Sequence, residues 1–316
     1  MRLVISAAGG RTVGAGHVMR SMAVAEAAVA VGHAVVLAAD LADLCWVEPW
    51  VCELGLELVA PTRDVASLAR LAGSRGAEAV LVDSYGIGEA VEAVHDAGSL
   101  LASFEDGEHG RREADIVIDY QLEAQAEVRP HDGSTTILRG VAFAPIRAQV
   151  RALASGLSPP LARNVTRAAV VMGGTDVSSL EGLVRDALTA LRVDVMPVER
   201  GLSAIKRLAE AEAVVSAAGV SAYELCHLGI PTAVVLAADN QSGNYDALVQ
   251  AAVVRGLGTS REITARPDLF QDRLQEWFGD PAARDSQARR ARELVDGRGA
   301  HRIVAALTAA VSSRWR

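Results

Sequence analysis

Residues 216–244 read SAAGVSAYELCHLGIPTAVVLAADNQSGN, and the fold is decided there. Residues 213–217, at its start, are apolar and β-branched, the composition of a parallel strand buried on both faces. Ala218, Gly219, Val220 and Ser221 make a turn poor in side chains. Residues 223–228 leave room for a brief helix before Gly229 and Pro231 stop it. Residues 232–236 form a second buried strand, and Ala238-Asp239-Asn240-Gln241 is a polar loop at its end. A helix that begins at Gly219, Val220 and Ser221 aims free backbone N–H groups and a positive dipole end beyond the strand. That is an anion site. Glu224, one turn inside, is placed to accept hydrogen bonds from a ribose diol. The plainer reading is a helix end packed on a sheet, with Glu224 stabilising its dipole. The two polar strand ends on one rim favour the first reading, because ligands of open α/β sheets sit at the carboxyl ends of the strands.

Working outward, the 316 residues suffice for two domains of ordinary size. Half are hydrophobic and only 4% aromatic, with Ala and Val dominant, which suits helices packed tightly on parallel sheets. A formal net charge of −8, with no basic cluster interleaved with aromatics, argues against a nucleic-acid partner. The three cysteines, Cys45, Cys52 and Cys226, have neither zinc-ligand nor disulfide-framework spacing, so the reducing cytoplasm is the expected compartment. The Ala/Val-rich run at 23–39 is broken by Glu26, Gly32 and His33, so no membrane span is expected. Met1-Arg2 leads directly into a strand rather than a signal peptide.

Strand and helix alternate along the chain. Strands are predicted at 3–7, 34–39, 57–59, 79–82, 100–104 and 116–118. Helices are predicted at 18–31, 41–54 and 64–73, and near 89–97. A Pro- and Arg-bearing run over 147–167 interrupts this rhythm, which resumes with a strand at 168–172, a helix at 178–191, a strand at 194–198 and a helix near 202–211. Beyond the opening stretch come a helix at 245–255, a strand at 256–257 and two or three more helices. The expected division is an N-terminal Rossmann-like acceptor and catalytic domain (1–152), a linker (153–165), a nucleotide-binding domain (166–298) and a C-terminal helix (299–316) that packs back on the first domain. Such alternation means doubly wound parallel sheets.

Two loops of the first half carry candidate chemistry. His17 follows Gly14-Ala15-Gly16 at the start of a helix, where a histidine suits general-base work. Asp83 ends a strand and is placed to orient His17 or an acceptor hydroxyl; its plainer role is to cap the next helix. Tyr85 shares its loop. Glu105, Asp106 and His109 stand equally for acceptor contacts or a solvated loop. In the second half, backbone N–H groups around Gly173, Gly174 and Thr175, and around Gly219, Val220 and Ser221, are placed to bind an anion such as a diphosphate without a metal. No Asp-x-Asp or His/Cys cluster stands where a metal would bind.

Together, Gly14-Ala15-Gly16-His17-Val18-Met19-Arg20, Val82-Asp83-Ser84-Tyr85-Gly86, Met172-Gly173-Gly174-Thr175-Asp176, Tyr223-Glu224-Leu225-Cys226 and Ala238-Asp239-Asn240-Gln241 resemble, in that order, the motifs of the UDP-sugar hydrolase of the pseudaminic acid pathway. They also resemble those of the spore-coat polysaccharide glycosyltransferases and, more distantly, of the glycosyltransferase that makes lipid II. The likeness spans roughly residues 1–260. It implies a GT-B fold, two Rossmann-like parallel-sheet domains facing a cleft, and release of UDP from a UDP-sugar. It assigns His17 to the reacting centre, and Gly173, Gly174, Ser221 and Glu224 to the nucleotide. Asn240 and Gln241, with the Gly14 and Gly16 turn, would face the sugar or diphosphate. The family carries Arg-x-Asp where this chain has Ser6-Ala7-Ala8, which tips the expected reaction from hydrolysis toward transfer to a small acceptor. A sugar 2-epimerase and a non-catalytic nucleotide-sugar sensor are the other readings. The stretch 176–216 is short by about one strand–helix unit, so a reduced C-terminal sheet is expected. A monomer or homodimer without cofactor is expected.

Overall fold

A computed structural model of the chain describes residues 1–10, 14–126, 128–156, 164–173, 180–199, 201 and 203–314. The chain divides into two compact units, residues 1–148 with 297–316, and 149–296.

The first unit begins β1 (Arg2–Ala7), α1 (Gly16–Ala30), β2 (Ala34–Ala38), α2 (Glu48–Glu53), β3 (Glu57–Val59), α3 (Val65–Arg75) and β4 (Ala79–Asp83). It continues α4 (Val91–Asp96), β5 (Leu100–Phe104), β6 (Ile116–Asp119) and β7 (Thr136–Arg139), and the division falls at the start of α5 (Ala148–Ala154). Its sheet is parallel, in the order β3-β2-β1-β4-β5-β6-β7. Alternate residues of the strands bury opposite faces. Val4, Val36, Val80, Val82, Leu101 and Val117 pack on one side with Leu68 and Ala72 of α3 and Val94 of α4. Leu3, Ile5, Leu37, Leu81, Ile116 and Ile118 alternate with them and are equally buried. Helix α3 forms where Asp64 and Ser67 close a capping box, Ser67 N–H donating to Asp64 Oδ1 at 2.7 Å.

The second unit contains β8 (Arg167–Val171), α6 (Leu180–Ala190), β9 (Asp194–Met196), α7 (Ala204–Leu208), β10 (Ala213–Ala217), α8 (Val220–Leu228) and β11 (Thr232–Leu236). It closes with α9 (Ser242–Gln250), β12 (Arg255–Thr259), α10 (Ser260–Ala265), α11 (Pro267–Phe278) and α12 (Pro281–Leu294). The sheet has five parallel strands, β12-β11-β10-β8-β9, against seven in the first unit. Ala168, Val170, Val215, Ala217, Val235 and Leu257 pack with Val184 and Leu188 of α6 and Phe270, Leu274 and Trp277 of α11. Helix α8 ends at Gly229, whose φ of 66° is the left-handed cap that only glycine adopts without strain.

Helix α13 (Gly299–Arg314) returns to the first unit and packs along α1. Arg314 Nη1 donates to the Ser99 carbonyl at 2.6 Å, and His33 Nε2 meets Thr308 Oγ1 at 2.9 Å.

Several predicted elements are corrected. The helix expected over 41–54 is α-helical only at Glu48–Glu53, after a 3₁₀ turn at Cys45–Val47. Asp40 Oδ1 takes the Ala42 N–H and ties down the approach, while Pro49 fits the first turn of α2, where it loses no bond. Strand β7 has no counterpart among the predicted strands: it is four residues long, half-exposed and at the sheet edge, so it lacks the apolar run that marks a buried strand. Helix α5 occupies part of the run expected to interrupt the pattern. Helix α9 starts at Ser242 rather than 245, because Ser242 and Gly243 join the turn begun at Asp239–Gln241. The expected linker falls partly on 157–163, outside the described residues. Among the described residues no helix is long and apolar enough to cross a membrane.

Candidate functional site

In a doubly wound sheet the crevice opens where strand order reverses. In the first unit that point lies between β1 and β4, because β2 and β3 run out one way and β5, β6 and β7 the other. His17 is in the first turn of α1, just after β1, and Asp83 is the last residue of β4. His17 Nδ1 lies 2.5 Å from Asp83 Oδ1. The histidine is 6% exposed and the aspartate fully buried.

Arg20 lies within the His17 motif but carries no role on sequence grounds, and the structure puts it at the centre. Its Nε and Nη2 donate to Asp83 Oδ2 and Oδ1 at 2.8 and 2.7 Å. Nη1 donates to Asp106 Oδ1 at 2.6 Å. The guanidinium lies 4.8 and 5.4 Å from the ring centroids of Phe104 and Tyr120, which stand edge to face with each other. Ser21 Oγ also donates to Asp83 Oδ2, at 3.0 Å. The signal for Arg20 is in the spacing: residues 17, 20 and 21 share one face of a helix, and that face meets the end of β4.

Burial by itself would push the Asp83 and Asp106 carboxyls up. The charge of Arg20, with its hydrogen bonds, outweighs burial and holds both below the usual carboxylate range. The same two carboxylates raise Arg20 against its own burial. Asp83 is therefore an ionised, acceptor-only group at neutral pH. Arg20 Nη2 also lies 3.1 Å from His17 Nδ1, but a carboxylate oxygen at 2.5 Å is the closer and charged partner. It fixes the proton of the neutral ring on Nδ1 and leaves Nε2 as the acceptor.

Tyr85 and Asp106 join this group. The Tyr85 hydroxyl donates to Asp106 Oδ2, and its ring stands edge-on to His17, with centroids 4.7 Å apart. Gly110 permits this packing: its φ is +73°, and a Cβ there would lie 2.9 Å from the Tyr85 ring. Gln121 Nε2 donates to Asp106 Oδ1 at 2.9 Å, while its Oε1 is buried without a hydrogen-bond partner. His109 is exposed, with its ring 5.6 Å from Tyr85. Glu105, expected among acceptor contacts, is 1% exposed and has both oxygens on Arg129 Nε at 2.9 and 3.0 Å. Its oxygens are committed to holding the 129–132 segment, so it leaves the candidate set.

The second unit reverses strand order between β8 and β10. Gly173 follows β8 with φ +101°, whereas Gly174 and Thr175 lie outside the described residues. After β10, Gly219 caps α8 through backbone alone, with no side-chain hydrogen bond, and Val220 and Ser221 form its first turn. Glu224 is one turn in and 5% exposed. Buried Asn244 on α9 braces this turn. Its Oδ1 accepts from the Tyr223 hydroxyl, and its Nδ2 donates to the Ala218 carbonyl at 2.7 Å. Gln241 crosses the same turn, its Nε2 3.3 Å from where a Cβ on Gly219 would stand. Asn240 and Gln241 are half-buried in the 3₁₀ turn after β11. The structure therefore gathers Gly219, Val220, Ser221, Glu224 and Gln241 at one strand end, and His17, Asp83, Tyr85 and Asp106 at another. Gly14 (φ +84°) and Gly16 lead into α1 beside His17. Among the described residues, no group of three or more His, Cys, Asp or Glu side chains is placed to hold a metal.

No protein-family model matches the sequence, and no curated protein matches it. Solved structures match along nearly the whole chain. MurG of Acinetobacter baumannii is 13% identical with a TM-score of 0.64, covering 98% of this chain and 99% of its own. The glycotransferase of kitacinnamycin is 17% identical with a TM-score of 0.65, covering 98% of each. A putative UDP-N-acetylglucosamine 2-epimerase from Listeria monocytogenes is 13% identical with a TM-score of 0.62, covering 98% and 96%. At such identities the likeness carries the architecture alone, and with parallel sheets of seven and five strands, each reversing order at a candidate site, this chain has the GT-B fold.

Proposed function

We propose that this chain is a glycosyltransferase that takes a sugar from UDP and passes it to a small acceptor, with His17 as general base and without a metal. The observation that carries this reading is the pairing of His17 Nδ1 with a buried, ionised Asp83 at the switch point of the first sheet. A base so held keeps Nε2 bare. The proton of the acceptor hydroxyl or amine passes to Nε2 as the acceptor atom forms its bond to the anomeric carbon. The bond from that carbon to the diphosphate oxygen breaks, and UDP leaves with the electron pair. Two ionised carboxylates against one guanidinium leave a net negative charge beside the ring, ready for the imidazolium that forms. Backbone N–H groups at Gly219, Val220 and Ser221 and after β8 are assigned to the leaving diphosphate, and Glu224 to the ribose.

The test is a panel of UDP-sugars assayed for UDP release with and without candidate acceptors. Acceptor-dependent release supports transfer. Equal release with water alone makes the protein a hydrolase, and interconversion of sugars without UDP release makes it an epimerase. EDTA should leave the rate unchanged, and activity restored only by added magnesium or manganese would contradict the metal-free reading.

Glu224→Ala should weaken UDP binding by about 1–3 kcal/mol, the effect of removing one partner from a buried hydrogen-bonded group. Calorimetry with wild-type affinity in that variant would remove Glu224 from the nucleotide site.

A further inference from the structure

We infer that Arg20 is the positioning residue that sets the tautomer and orientation of His17, acting through Asp83 on one side and through Asp106 and Tyr85 on the other. The inference deepens the reading of His17 as base, and rests on that reading only for its consequence in turnover.

The contacts form a closed circuit. His17 Nδ1 meets Asp83, both Asp83 oxygens are forked by Arg20, and the third Arg20 nitrogen holds Asp106. The other Asp106 oxygen accepts from Tyr85, whose ring edge returns to His17. The imidazole is thus fixed by a hydrogen bond at Nδ1 and by a ring packed perpendicular to it. Arg20 is the hub because the two carboxylates would otherwise repel, and neither could stay ionised and oriented in so buried a site. A lysine could supply the charge, but not two parallel N–H bonds to one carboxylate and a third to another. Phe104 and Tyr120, whose rings stand perpendicular to each other, both lie against the guanidinium and confine it.

Arg20 is 2% exposed and its nitrogens face Asp83, Asp106 and His17, so its loss should appear in the state of His17. The probe is the ¹⁵N spectrum of histidine-labelled protein, with His17 among the seven histidines identified by its loss in His17→Gln. Wild type should show His17 as the Nδ1–H tautomer alone. Arg20→Lys should show mixed tautomers, with kcat down about 10²-fold, the scale of an ångström-sized misplacement of a reacting group, and KM for the UDP-sugar unchanged. Should Arg20→Lys fail to fold, Arg20→Gln/Asp106→Asn carries the same test. It removes the cation and one carboxylate together, so the net charge of the cluster is kept while the fork on Asp83 is lost. A purely structural Arg20 predicts a lower melting temperature with His17 still wholly Nδ1–H, and that result overturns the inference. A scrambled tautomer in the variant, with no UDP-sugar consumed even by wild type, upholds the inference and removes the functional reading instead.

Discussion

His17→Gln is expected to lower turnover by roughly 10²–10⁴-fold, the usual contribution of a positioned acid–base group, while UDP affinity is unchanged. The separation follows from where the groups sit. His17 belongs to the first unit, with Asp83 and Arg20, whereas the residues assigned to the nucleotide belong to the second. Glutamine keeps a donor for Asp83 but offers no imidazole nitrogen to take a proton. Asp83→Asn should reproduce much of the loss by another route: an amide nitrogen turned toward Nδ1 would stabilise the wrong tautomer and turn the proton onto Nε2. Single-turnover kinetics and calorimetry on both variants check the pair. Weakened UDP binding in His17→Gln would make the histidine a phosphate ligand. Wild-type turnover would move the base to another group of this rim, with the exposed His109 the first to test.

Asp119→Asn is expected to remove a pH dependence of stability from the first unit. Asp119 ends β6 fully buried, accepting from the Gly107 and Gln121 backbone N–H groups at 3.3 and 3.2 Å. Burial, joined by the negative charges of Asp106 and Glu105, pushes its carboxyl up to about 7. The native state therefore holds this proton more tightly than the unfolded chain. Its stabilising share is fully present below the ordinary aspartate range, and is lost as pH rises through about 7. The loss is on the order of 2–4 kcal/mol, since each tenfold gain in proton affinity on folding is worth about 1.4 kcal/mol. Asp83 and Asp106 act in the opposite sense, but both are held below the usual carboxylate range, so the stability they contribute is lost only in acid. Hydrogen exchange of peptides covering β5 and β6 at pH 5 and pH 8 makes the comparison locally. Wild type should exchange from a less stable state at pH 8, and Asp119→Asn should show little difference. Equal pH sensitivity in both proteins would remove the assignment.

How much of this is legible in the sequence varies by element. The stretch 213–236 is legible almost throughout: β10, the Gly219 turn, α8, its stop at Gly229 and β11 all lie where the residues put them. Each carries a local cause, namely β-branched burial, missing side chains at a turn, or a residue that tolerates positive φ. Elements without such a cause escape prediction or are misplaced by it. Strand β7 exists because Ile116–Asp119 offers a pairing edge, not because Thr136–Arg139 demands one. The Pro- and Arg-bearing run includes α5, whose Val150 and Ala154 are buried only in the folded chain.

The site divides the same way. Glycine turns, a histidine after one of them and carboxylates at strand ends are chemical types at recognisable positions, so the sequence alone determined the alternating α/β class, the strand-end rims and His17 with Asp83 as candidates. It left the partner of each charge open, because pairing depends on strands far apart in the chain. Arg20, Asp83, Asp106 and Tyr120 come from α1, β4 and the ends of β5 and β6, and only the sheet order sets them side by side. The tertiary structure likewise gave Glu105 to Arg129 and withdrew it from the acceptor side. Local preference acts over a few residues and is written in them. Compensation of buried charge acts through space, and it was fixed only when burial made every unpaired charge costly.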